Sequence, residues 1–337
     1  MSKLLEISGA DVVYQLGLNK TKTALHDVSL AVGGERPSIT AVVGESGSGK
    51  STLIRLLLGL QPPSRGSVRY DGAEVGRLGR TGQRTFRREV QAIFQDPFSV
   101  YNPFYRVDHA LMTPMRAFGL VKSRDEGYAR IETTLQRVGL KPEETLGKYP
   151  HQLSGGQRQR VMIARALLLD PQIILADEPV SMVDASLRST ILEILFGLNR
   201  DLGISLIYVT HDLATAYQVA DTIVVLHGGH ILEVGDPDAV IHHPQHPYTK
   251  ALIEAVPSPD PDQNWNLEAE PPSPSAFLPT GPIGLYHTEP LRAVALPLRA
   301  GETPTTAAAV QIAVTAARPP FRLPHQAISA QAQRGIL

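Results

Sequence analysis

The residue types that bind phosphate occur together in one glycine-rich run, which reads Gly44, Glu45, Ser46, Gly47, Ser48, Gly49, Lys50, Ser51 and Thr52. The run fits the spacing of a glycine, four residues, then glycine, lysine and serine or threonine. Its glycines allow the backbone to wrap around an anion with N–H groups pointing inward. Lys50 can reach the β- and γ-phosphates, the Ser51 hydroxyl can ligate Mg²⁺, and Thr52 can add a phosphate contact. The run therefore predicts a nucleoside triphosphate site, and a plain turn between a strand and a helix is the alternative.

Two carboxylates, Asp177 and Glu178, directly follow an apolar run at Ile173–Ala176. A carboxylate at the tip of a strand beside a phosphate loop can hold Mg²⁺, directly or through water. A second carboxylate at that place can orient a water molecule for attack on the γ-phosphate. We therefore assign Asp177 to the metal and Glu178 to the water. The alternative is a solvated acidic turn that ends at Pro179.

A third segment, Leu153-Ser154-Gly155-Gly156-Gln157, opens a predicted helix. Ser154 suits the N-cap position, and the two glycines expose backbone N–H groups at the positive end of the helix. The segment is thus a second surface suited to the γ-phosphate. Two such surfaces need not face each other within one molecule, and a sandwich of two molecules would let each complete the site of the other. A plain capped helix is the alternative.

Strands and helices alternate around these segments. Runs rich in apolar and β-branched residues predict buried strands at Ile39–Val43, Ile173–Ala176, Ile204–Val209 and Thr222–Leu226. Apolar residues at helical spacing predict helices at Ser51–Leu60, Asp125–Val138, Gln157–Leu169 and Arg188–Leu202. This alternation indicates an α/β fold with a mainly parallel sheet. No strand is predicted between Asp96 and Asp170, so we expect an inserted helical subdomain there.

Composition separates a globular region from a tail. Of the 27 prolines in 337 residues, 14 lie after Val256, and the same segment contains no lysine. We therefore expect one domain over residues 1–256, with its helical subdomain at 96–170, and a loosely packed, proline-rich C-terminal extension over 257–337. A formal charge of −1 gives no reason to expect nucleic acid as a partner. The absence of cysteine excludes disulfides, zinc thiolate sites and iron–sulfur clusters held by thiolates.

Taken together, the three segments resemble those of the nucleotide-binding subunits of ATP-binding-cassette (ABC) transporters, and the resemblance covers residues 4–256. Gly44–Thr52 is similar to the Walker A loop, Leu153–Gln157 to the cassette signature, and Ile173–Glu178 to Walker B. The resemblance implies a P-loop NTPase fold of the ABC type. It also implies ATP hydrolysis, with ATP and Mg²⁺ as cofactors.

Further positions resemble functional residues of that family. Gln95, in Ile93-Phe94-Gln95-Asp96-Pro97, resembles the Q-loop glutamine that senses Mg²⁺ and the membrane partner. His211 resembles the switch histidine. Tyr14 resembles the aromatic residue that stacks on adenine, with a half-buried strand tyrosine as the alternative. Ser181-Met182-Val183-Asp184 resembles the D-loop, but it departs from the more usual Ser-Ala-Leu-Asp.

The resemblance thus implies a full set of site residues. Catalysis would fall to Glu178 and His211, and Mg²⁺ would be held by Ser51, Gln95 and Asp177. The nucleotide would be contacted, within one subunit or across two, by Tyr14, Gly44, Glu45, Ser46, Gly47, Ser48, Gly49, Lys50, Ser51, Thr52, Gln95, Ser154, Gly155, Gly156, Gln157 and Asp184.

The segment His246-Pro247-Tyr248-Thr249-Lys250-Ala251-Leu252, with Asp177-Glu178-Pro179-Val180-Ser181, narrows the resemblance to the ATPases of oligopeptide/dipeptide permeases. That group implies an importer with transmembrane permease subunits, which the Gln95 region and the Ser99–Val107 loop are expected to meet. It implies a second ATPase subunit, either a related chain or a second copy, and an extracytoplasmic solute-binding protein as an indirect partner. It places the chain peripherally at the cytoplasmic face of the inner membrane. Members also carry nickel chelates or oligosaccharides, so the solute stays open.

Two other functions are compatible with a cassette ATPase. One is a soluble ATPase that acts on ribosomes or nucleic acid. Such proteins usually carry two cassettes or a long coiled coil, and this chain shows neither. The other is a binding-only regulatory subunit with an inactive site, which the presence of Lys50, Asp177, Glu178 and His211 disfavours.

Overall fold

The computed structural model describes residues 3–17, 20–97, 101–256 and 286–287. Its strands are β1 Leu4–Gln15, β2 Thr21–Gly33, β3 Ile39–Val43, β4 Arg65–Tyr70, β5 Ala73–Glu74, β6 Val90–Ile93, β7 Ile173–Asp177, β8 Ser205–Thr210, β9 Thr222–His227, β10 His230–Gly235 and β11 Tyr286–His287. Its α-helices are α1 Lys50–Leu57, α2 Arg80–Glu89, α3 Val107–Phe118, α4 Arg124–Arg137, α5 Pro142–Thr145, α6 Gly155–Leu167, α7 Ala185–Leu202, α8 Leu213–Val219, α9 Pro237–His242 and α10 Pro247–Glu254. Within these residues, no helix has both the length and the apolar character that crossing a membrane requires.

The described residues form two compact units. The first unit consists of residues 3–4, 33–37 and 70–209, and the second consists of 5–32, 38–69 and the described residues from 210 onward. The phosphate loop belongs to the second unit, whereas the signature segment and the acidic pair belong to the first. Ser99 and Val100 of the predicted permease loop, and almost all of the predicted C-terminal extension, lie outside the described residues.

The phosphate loop of the second unit follows a fully buried strand. β3 lies parallel to β9, β9 pairs antiparallel with β10, and β10 pairs in parallel with β11. Every residue of β3 and β9 is buried, which explains the continuous apolar and β-branched runs in these segments. The buried Asp221 carboxylate accepts a hydrogen bond from the Ile39 N–H at 2.7 Å and so fixes the start of β3.

The second unit also contains a sheet that the sequence analysis did not predict. Strands β2, β1 and β4 are neighbours in that order. Along β1, buried residues such as Leu5, Ile7 and Val12 alternate with more exposed ones. This alternation is typical of a sheet with one solvated face, and it differs from the continuous apolar runs that identified the other strands.

The acidic pair lies at the carboxyl end of the central strand of a parallel group of strands in the first unit. The strands of this unit that form the group are β6, β7 and β8, with β7 between the other two. Ile93, the last residue of β6, is opposite Ala176, and Asp177, the last residue of β7, is opposite Val209. Because all three strands are parallel, their carboxyl ends lie at the same end of the sheet. Glu178 directly follows β7 there.

Helices α3 to α6 lie between β6 and β7 in the chain, and the described residues there contain no strand. The inserted helical subdomain of the predicted fold is thereby confirmed. Gly127 of α4 allows close packing on α3, since a Cβ at that position would lie 2.6 Å from the sulfur of Met112. Arg130 of α4 donates hydrogen bonds to the Leu168 carbonyl at 2.9 Å and to the Asp170 carboxylate at 2.7 Å. These bonds tie α4 to the segment that leads into β7.

Most predicted elements are present, with small shifts at their ends. β3 has the predicted bounds. α6 begins at Gly155, directly after the predicted N-cap Ser154 and two residues ahead of its apolar pattern, because a reciprocal pair of hydrogen bonds between Ser154 and Gln157 starts the helix there. α7 begins at Ala185, ahead of the first residue of its apolar face, so apolar spacing alone placed its start too late.

Truncation of the chain after Ser258 should leave a domain that folds and binds nucleotide, because every predicted site residue precedes the cut. The cut removes β11, which is only two residues long. Truncation after Thr288 keeps β11 and serves as the control. We expect both proteins to unfold cooperatively on heating, with midpoints within about 4 °C, or about 1 kcal/mol for a domain of this size. Loss of the cooperative transition in the shorter protein would show that the extension belongs to the core.

Candidate functional site

The predicted phosphate loop connects the end of β3 to the start of α1. Gly47 and Gly49 have φ angles of 83° and 112°, in the left-handed region that glycine adopts without a Cβ penalty. A Cβ at Gly44 would lie 2.0 Å from the Leu226 carbonyl oxygen, and one at Gly49 would lie 2.7 Å from the Ala24 carbonyl oxygen. The glycines are therefore required both by the turns of the loop and by the backbone packed against it.

Lys50 is almost buried, with 6% of its surface exposed. Its ammonium donates hydrogen bonds to the carbonyl oxygens of Gly44 and Glu45, each at 2.7 Å. The cation is thus held over its own loop at the start of α1, where backbone N–H groups and the helix dipole also favour an anion. The buried hydroxyl oxygen of Ser48 has no hydrogen-bond partner among the described residues. A phosphate oxygen would satisfy this hydroxyl, so the loop fits the phosphates of a nucleotide.

Glu178 has an unusual backbone conformation. It follows the last residue of β7 with a φ angle of 45°, which costs about 1–2 kcal/mol for a residue other than glycine. Two hydrogen bonds offset this cost. The Glu178 N–H donates to the Val209 carbonyl at 2.9 Å, and the Ser181 hydroxyl donates to the Glu178 carbonyl at 2.9 Å. Strained residues that are held in this way concentrate at functional sites.

Gln95 contacts Glu178. The Gln95 side chain donates a hydrogen bond from Nε2 to Oε2 of Glu178 at 2.9 Å, across 83 positions of sequence. Both are predicted site residues, and no local sequence pattern connects them. The register of β6 and β7, which sets Ile93 opposite Ala176, brings them together. The hydrogen bond fixes the direction of the Glu178 carboxylate.

The signature segment begins α6 with a capping box. The Ser154 hydroxyl accepts a hydrogen bond from the Gln157 N–H at 3.2 Å, and Oε1 of Gln157 accepts one from the Ser154 N–H at 2.9 Å. Gly156 packs on the first turn of α7, since a Cβ there would lie 2.6 Å from Cδ1 of Leu187. Ser154 is exposed, and its contact with the phosphate of a second molecule stays a prediction.

Three further predicted residues lie near the ends of elements. Asp184 is the N-cap residue of α7, although its side chain makes no capping hydrogen bond. His211 directly follows β8 and is exposed, and the next residue, Asp212, caps α8 by accepting from the Ala214 N–H at 2.9 Å. Tyr14 is half-buried near the end of β1, so the adenine contact and the structural strand residue both remain open interpretations.

The predicted Mg²⁺ ligands come from both units. Ser51 belongs to α1 in the second unit, whereas Gln95 and Asp177 belong to the first unit. Their hydroxyl, amide and carboxylate oxygens are the hard ligands that Mg²⁺ prefers, and such sites usually complete their coordination with substrate phosphates and water. The described residues contain no group of three or more His, Cys, Asp or Glu that could hold a metal ion. Magnesium binding by Ser51, Gln95 and Asp177 stays a prediction.

Two family models match the chain. The model of the ABC transporter family matches residues 25–181, which include the phosphate loop, the signature segment and the acidic pair. The model of the oligopeptide/dipeptide transporter C-terminal region matches residues 232–281. The second match includes the His246–Leu252 segment that narrowed the resemblance.

Several curated proteins are similar over most of their length. The oligopeptide transport ATP-binding protein OppF of Escherichia coli (strain K12) is 43% identical over 238 residues, which cover 69% of this chain and 71% of OppF. A putative peptide import ATP-binding protein of Brucella ovis is 39% identical over 275 residues, which cover 81% of this chain and 85% of the relative. The putative oligopeptide transport ATP-binding protein YkfD of Bacillus subtilis (strain 168) is 37% identical, with 80% and 83% covered.

Solved structures share the fold. The ATP-binding cassette MJ0796, as a dimer in a post-hydrolysis state with ADP and Pi, gives a TM-score of 0.62 at 29% identity and covers 69% of this chain and 98% of its own. The protein cbiO1 of Clostridium perfringens, part of the ABC transporter complex cbiONQ, gives a TM-score of 0.62 at 28% identity, with 72% and 92% covered. The α/β cassette fold predicted from the sequence is thereby confirmed.

Lys50→Ala should weaken ATP binding about tenfold or more, because a hydrogen bond to a charged group contributes about 1.5–3 kcal/mol. The substitution removes the cation that is held over the Gly44 and Glu45 carbonyls. Titration calorimetry measures the affinity. Lys250→Ala, which removes an exposed lysine of α10 in the same unit, is the control and should bind ATP like the parent. Equal affinity for Lys50→Ala and the parent would remove Lys50 from the site.

Proposed function

The chain belongs to the ATP-binding subunits of ABC transporters, and we propose that it hydrolyses ATP to power the import of oligopeptides or dipeptides. The names of its relatives support the solute class, since OppF is an oligopeptide transport ATP-binding protein and the Brucella ovis relative is a putative peptide importer. Nickel chelates and oligosaccharides are the alternative solutes within the group.

One observation carries this proposal. The same chain combines a phosphate loop that holds Lys50 over its own carbonyls with a C-terminal match to oligopeptide/dipeptide transporters at 232–281. The first feature is the machinery for ATP, and the second separates this group from other cassette ATPases. The phosphate loop alone indicates the reaction but not the solute. The C-terminal match alone indicates the solute class but not the reaction.

The phosphate loop binds and orients the nucleotide. Backbone N–H groups of the loop and of the first turn of α1 point toward an anion, and the ammonium of Lys50 adds a positive charge. Phosphate oxygens would accept from the Lys50 ammonium as charged partners, in hydrogen bonds stronger than those to the neutral carbonyls of Gly44 and Glu45. Tyr14 would stack on the adenine base.

Hydrolysis needs a positioned water and neutralisation of charge. Glu178 would orient the water, and its hydrogen bond from Gln95 holds the carboxylate in one direction before the nucleotide arrives. Asp177, Ser51 and Gln95 would hold Mg²⁺, which when bound supplies neutralisation of the charge on the β- and γ-phosphates. His211 would contact the γ-phosphate region. Catalysis of this kind is mostly positioning and electrostatic stabilisation.

Two subunits would share each ATP. The nucleotide on Gly44–Thr52 of one subunit would also meet Ser154–Gln157 of the other, with Asp184 in the D-loop beside the shared surface. The dimeric structures of the cassette MJ0796 support pairing. The resemblance of Pro179-Val180-Ser181 to the second ATPase of an unlike pair favours a related but different partner, and a second copy of this chain is the alternative.

Exposed aromatic residues support a contact with permease subunits. Phe94 is 38% exposed, Phe104 is 85% exposed and Tyr105 is 51% exposed, and aromatic residues are enriched in protein interfaces. They lie on either side of Gln95 in the chain, in the region assigned to the permease. Closure of two subunits on ATP and opening after hydrolysis would move this region and rearrange the permease. The permease would hold the chain peripherally at the cytoplasmic face of the inner membrane, and an extracytoplasmic solute-binding protein would deliver the peptide.

The alternative of a soluble ATPase that acts on ribosomes or nucleic acid is not favoured. The relatives reported above are transport ATP-binding proteins. The regulatory subunit with an inactive site is disfavoured by the intact Lys50 and by the hydrogen-bonded pair of Gln95 and Glu178.

Glu178→Gln should bind ATP and lose about 10²–10³-fold in turnover, the loss typical of a group that stabilises the transition state. The amide keeps an oxygen that can accept the hydrogen bond from Gln95, so the substitution tests the charge alone. ATP hydrolysis by the assembled transport complex is the measurement. Glu193→Gln changes an exposed glutamate of α7 and should leave turnover unchanged. Near-normal turnover of Glu178→Gln would exclude the assigned role.

Ser154→Arg should damage the ATP site on the partner's phosphate loop and spare nucleotide binding at Lys50 of its own chain. The arginine puts a large side chain and a cation into the exposed signature surface. The substitution also removes the N-cap of α6, at a cost of about 1 kcal/mol. Ser123→Arg is the matched control, because Ser123 caps α4 of the same unit by accepting from the Glu126 N–H at 3.1 Å.

Mixing the Ser154→Arg and Lys50→Ala chains tests whether each ATP site is shared between two subunits, provided that the chain pairs with itself. In a dimer of one Ser154→Arg subunit and one Lys50→Ala subunit, one composite site contains both changes and the other contains neither. ATP hydrolysis that returns on mixing two inactive variants would support sharing across subunits. An inactive mixture with demonstrated co-assembly would contradict it.

A further inference from the structure

One peptide group of the phosphate loop is held from both sides by side chains of the second unit. This group joins Gly44 to Glu45. Its carbonyl oxygen accepts a hydrogen bond from the Lys50 ammonium at 2.7 Å. Its N–H donates a hydrogen bond to the Tyr248 hydroxyl at 3.1 Å. Rotation of the peptide would break both bonds, so the placement of the lysine and that of the tyrosine are physically coupled.

Tyr248 lies in the first turn of α10, within the region that matches oligopeptide/dipeptide transporters. Only 5% of its surface is exposed. Burial raises the pKa of its hydroxyl, so the hydroxyl stays neutral and accepts from Glu45 as an uncharged oxygen. A buried tyrosine ring with a bonded hydroxyl is a well-defined support, because few of its conformers fit the site.

A buried carboxylate fixes the helix that carries Tyr248. Glu233 of β10 is fully buried, and its two oxygens accept hydrogen bonds from the N–H groups of Gln245 at 3.0 Å and His246 at 3.1 Å. His246 in turn caps α10, since its Nδ1 accepts from the Tyr248 N–H at 3.1 Å. Burial lowers the pKa of His246, which keeps the ring neutral and able to accept. These bonds set the position from which the tyrosine hydroxyl reaches the loop.

His227, the last residue of β9, contacts both Tyr248 and Glu45. The centroid of its ring lies 4.1 Å from that of Tyr248. Its Nδ1 lies 2.9 Å from Oε1 of Glu45. His227 is 2% exposed, whereas the Glu45 side chain is 47% exposed. The Glu45 N–H is therefore bonded by Tyr248, and His227 packs on the Tyr248 ring close to the Glu45 carboxylate.

We propose that Tyr248 is a positioning residue for ATP binding, which fixes the Gly44–Glu45 peptide and, through it, the ammonium of Lys50. The proposal rests on the proposed function in one respect, namely that ATP is the ligand of the loop. Tyr248 acts on the nucleotide only through the peptide. The His246-Pro247-Tyr248 segment, which the sequence analysis used only to identify a subfamily, thereby acquires a physical role at the ATP site.

Preorganisation explains why the contact matters. A loop that is already ordered loses less conformational entropy when its ligand binds. The N–H of Glu45 is satisfied by Tyr248, so this end of the loop is already ordered when the phosphates bind. Loss of this single neutral hydrogen bond should weaken ATP binding about three- to tenfold.

Tyr248→Phe tests the proposal, because it removes the hydroxyl and keeps the ring beside His227. Titration of the full chain with ATP by calorimetry reports the dissociation constant and the fraction of competent molecules separately. We expect the dissociation constant to rise about three- to tenfold with an unchanged competent fraction. A merely structural role would lower that fraction and leave the dissociation constant of the remaining molecules unchanged. Hydrogen–deuterium exchange at the Glu45 amide should also become faster.

Tyr217→Phe is the matched control, because it removes a hydroxyl that bonds Asp238 elsewhere in the same unit. An unchanged dissociation constant for Tyr248→Phe, or an equal rise for Tyr217→Phe, would overturn the proposal. If Tyr248→Phe does not fold, His227→Gln tests the same support, with a rise in its favour and no change against it. A parent chain that binds no ATP would contradict the proposed function instead.

Discussion

Burial of the Lys50 ammonium is the constraint on which the nucleotide site depends. A charge removed from water requires hydrogen-bond partners, and Lys50 finds two of them in the Gly44 and Glu45 carbonyls at 2.7 Å. The loop must curl tightly to present both oxygens, and only glycine tolerates the resulting approach of the Leu226 carbonyl to Gly44. The fully buried strand β3, which precedes the loop, and its sheet neighbour β9 then hold the loop in place.

Glu178 of the acidic pair in the first unit is also held in a fixed orientation, but by a different arrangement. There the backbone itself is strained, since Glu178 adopts a φ angle of 45°. The hydrogen bonds with Val209 and Ser181 stabilise that conformation, and the bond from Gln95 fixes the side chain. In both units, therefore, the groups assigned to ATP chemistry are oriented by protein contacts made before the nucleotide binds. Such preorganisation is the main source of catalysis where the protein forms no covalent bond to its substrate.

The C-terminal region links the identity of the subfamily to the ATP site. Tyr248 reaches the Glu45 N–H across 203 positions of sequence, and the buried Glu233 carboxylate fixes the segment that precedes it. Burying a carboxylate is costly unless both of its oxygens accept hydrogen bonds. Both oxygens of Glu233 do so. This arrangement indicates that residues 232–256, the described part of the region matched by the oligopeptide/dipeptide model, belong to the same packed unit as the phosphate loop.

The motifs and the buried strands were evident from the sequence because they depend on local chemistry, and the cassette fold followed from the resemblance that the motifs carry. Glycine spacing, an N-cap serine and continuous apolar runs act within a few residues, so Gly44–Thr52, Ser154–Gln157 and β3 could be identified in isolation. The sheet that contains β1 and β2 was missed, because its alternating pattern lacks a continuous apolar run. The contacts of Gln95 with Glu178 and of Tyr248 with Glu45 were decided only by tertiary structure. Each joins residues far apart in the chain, and strand register and helix placement, which no local pattern encodes, determine whether their side chains meet.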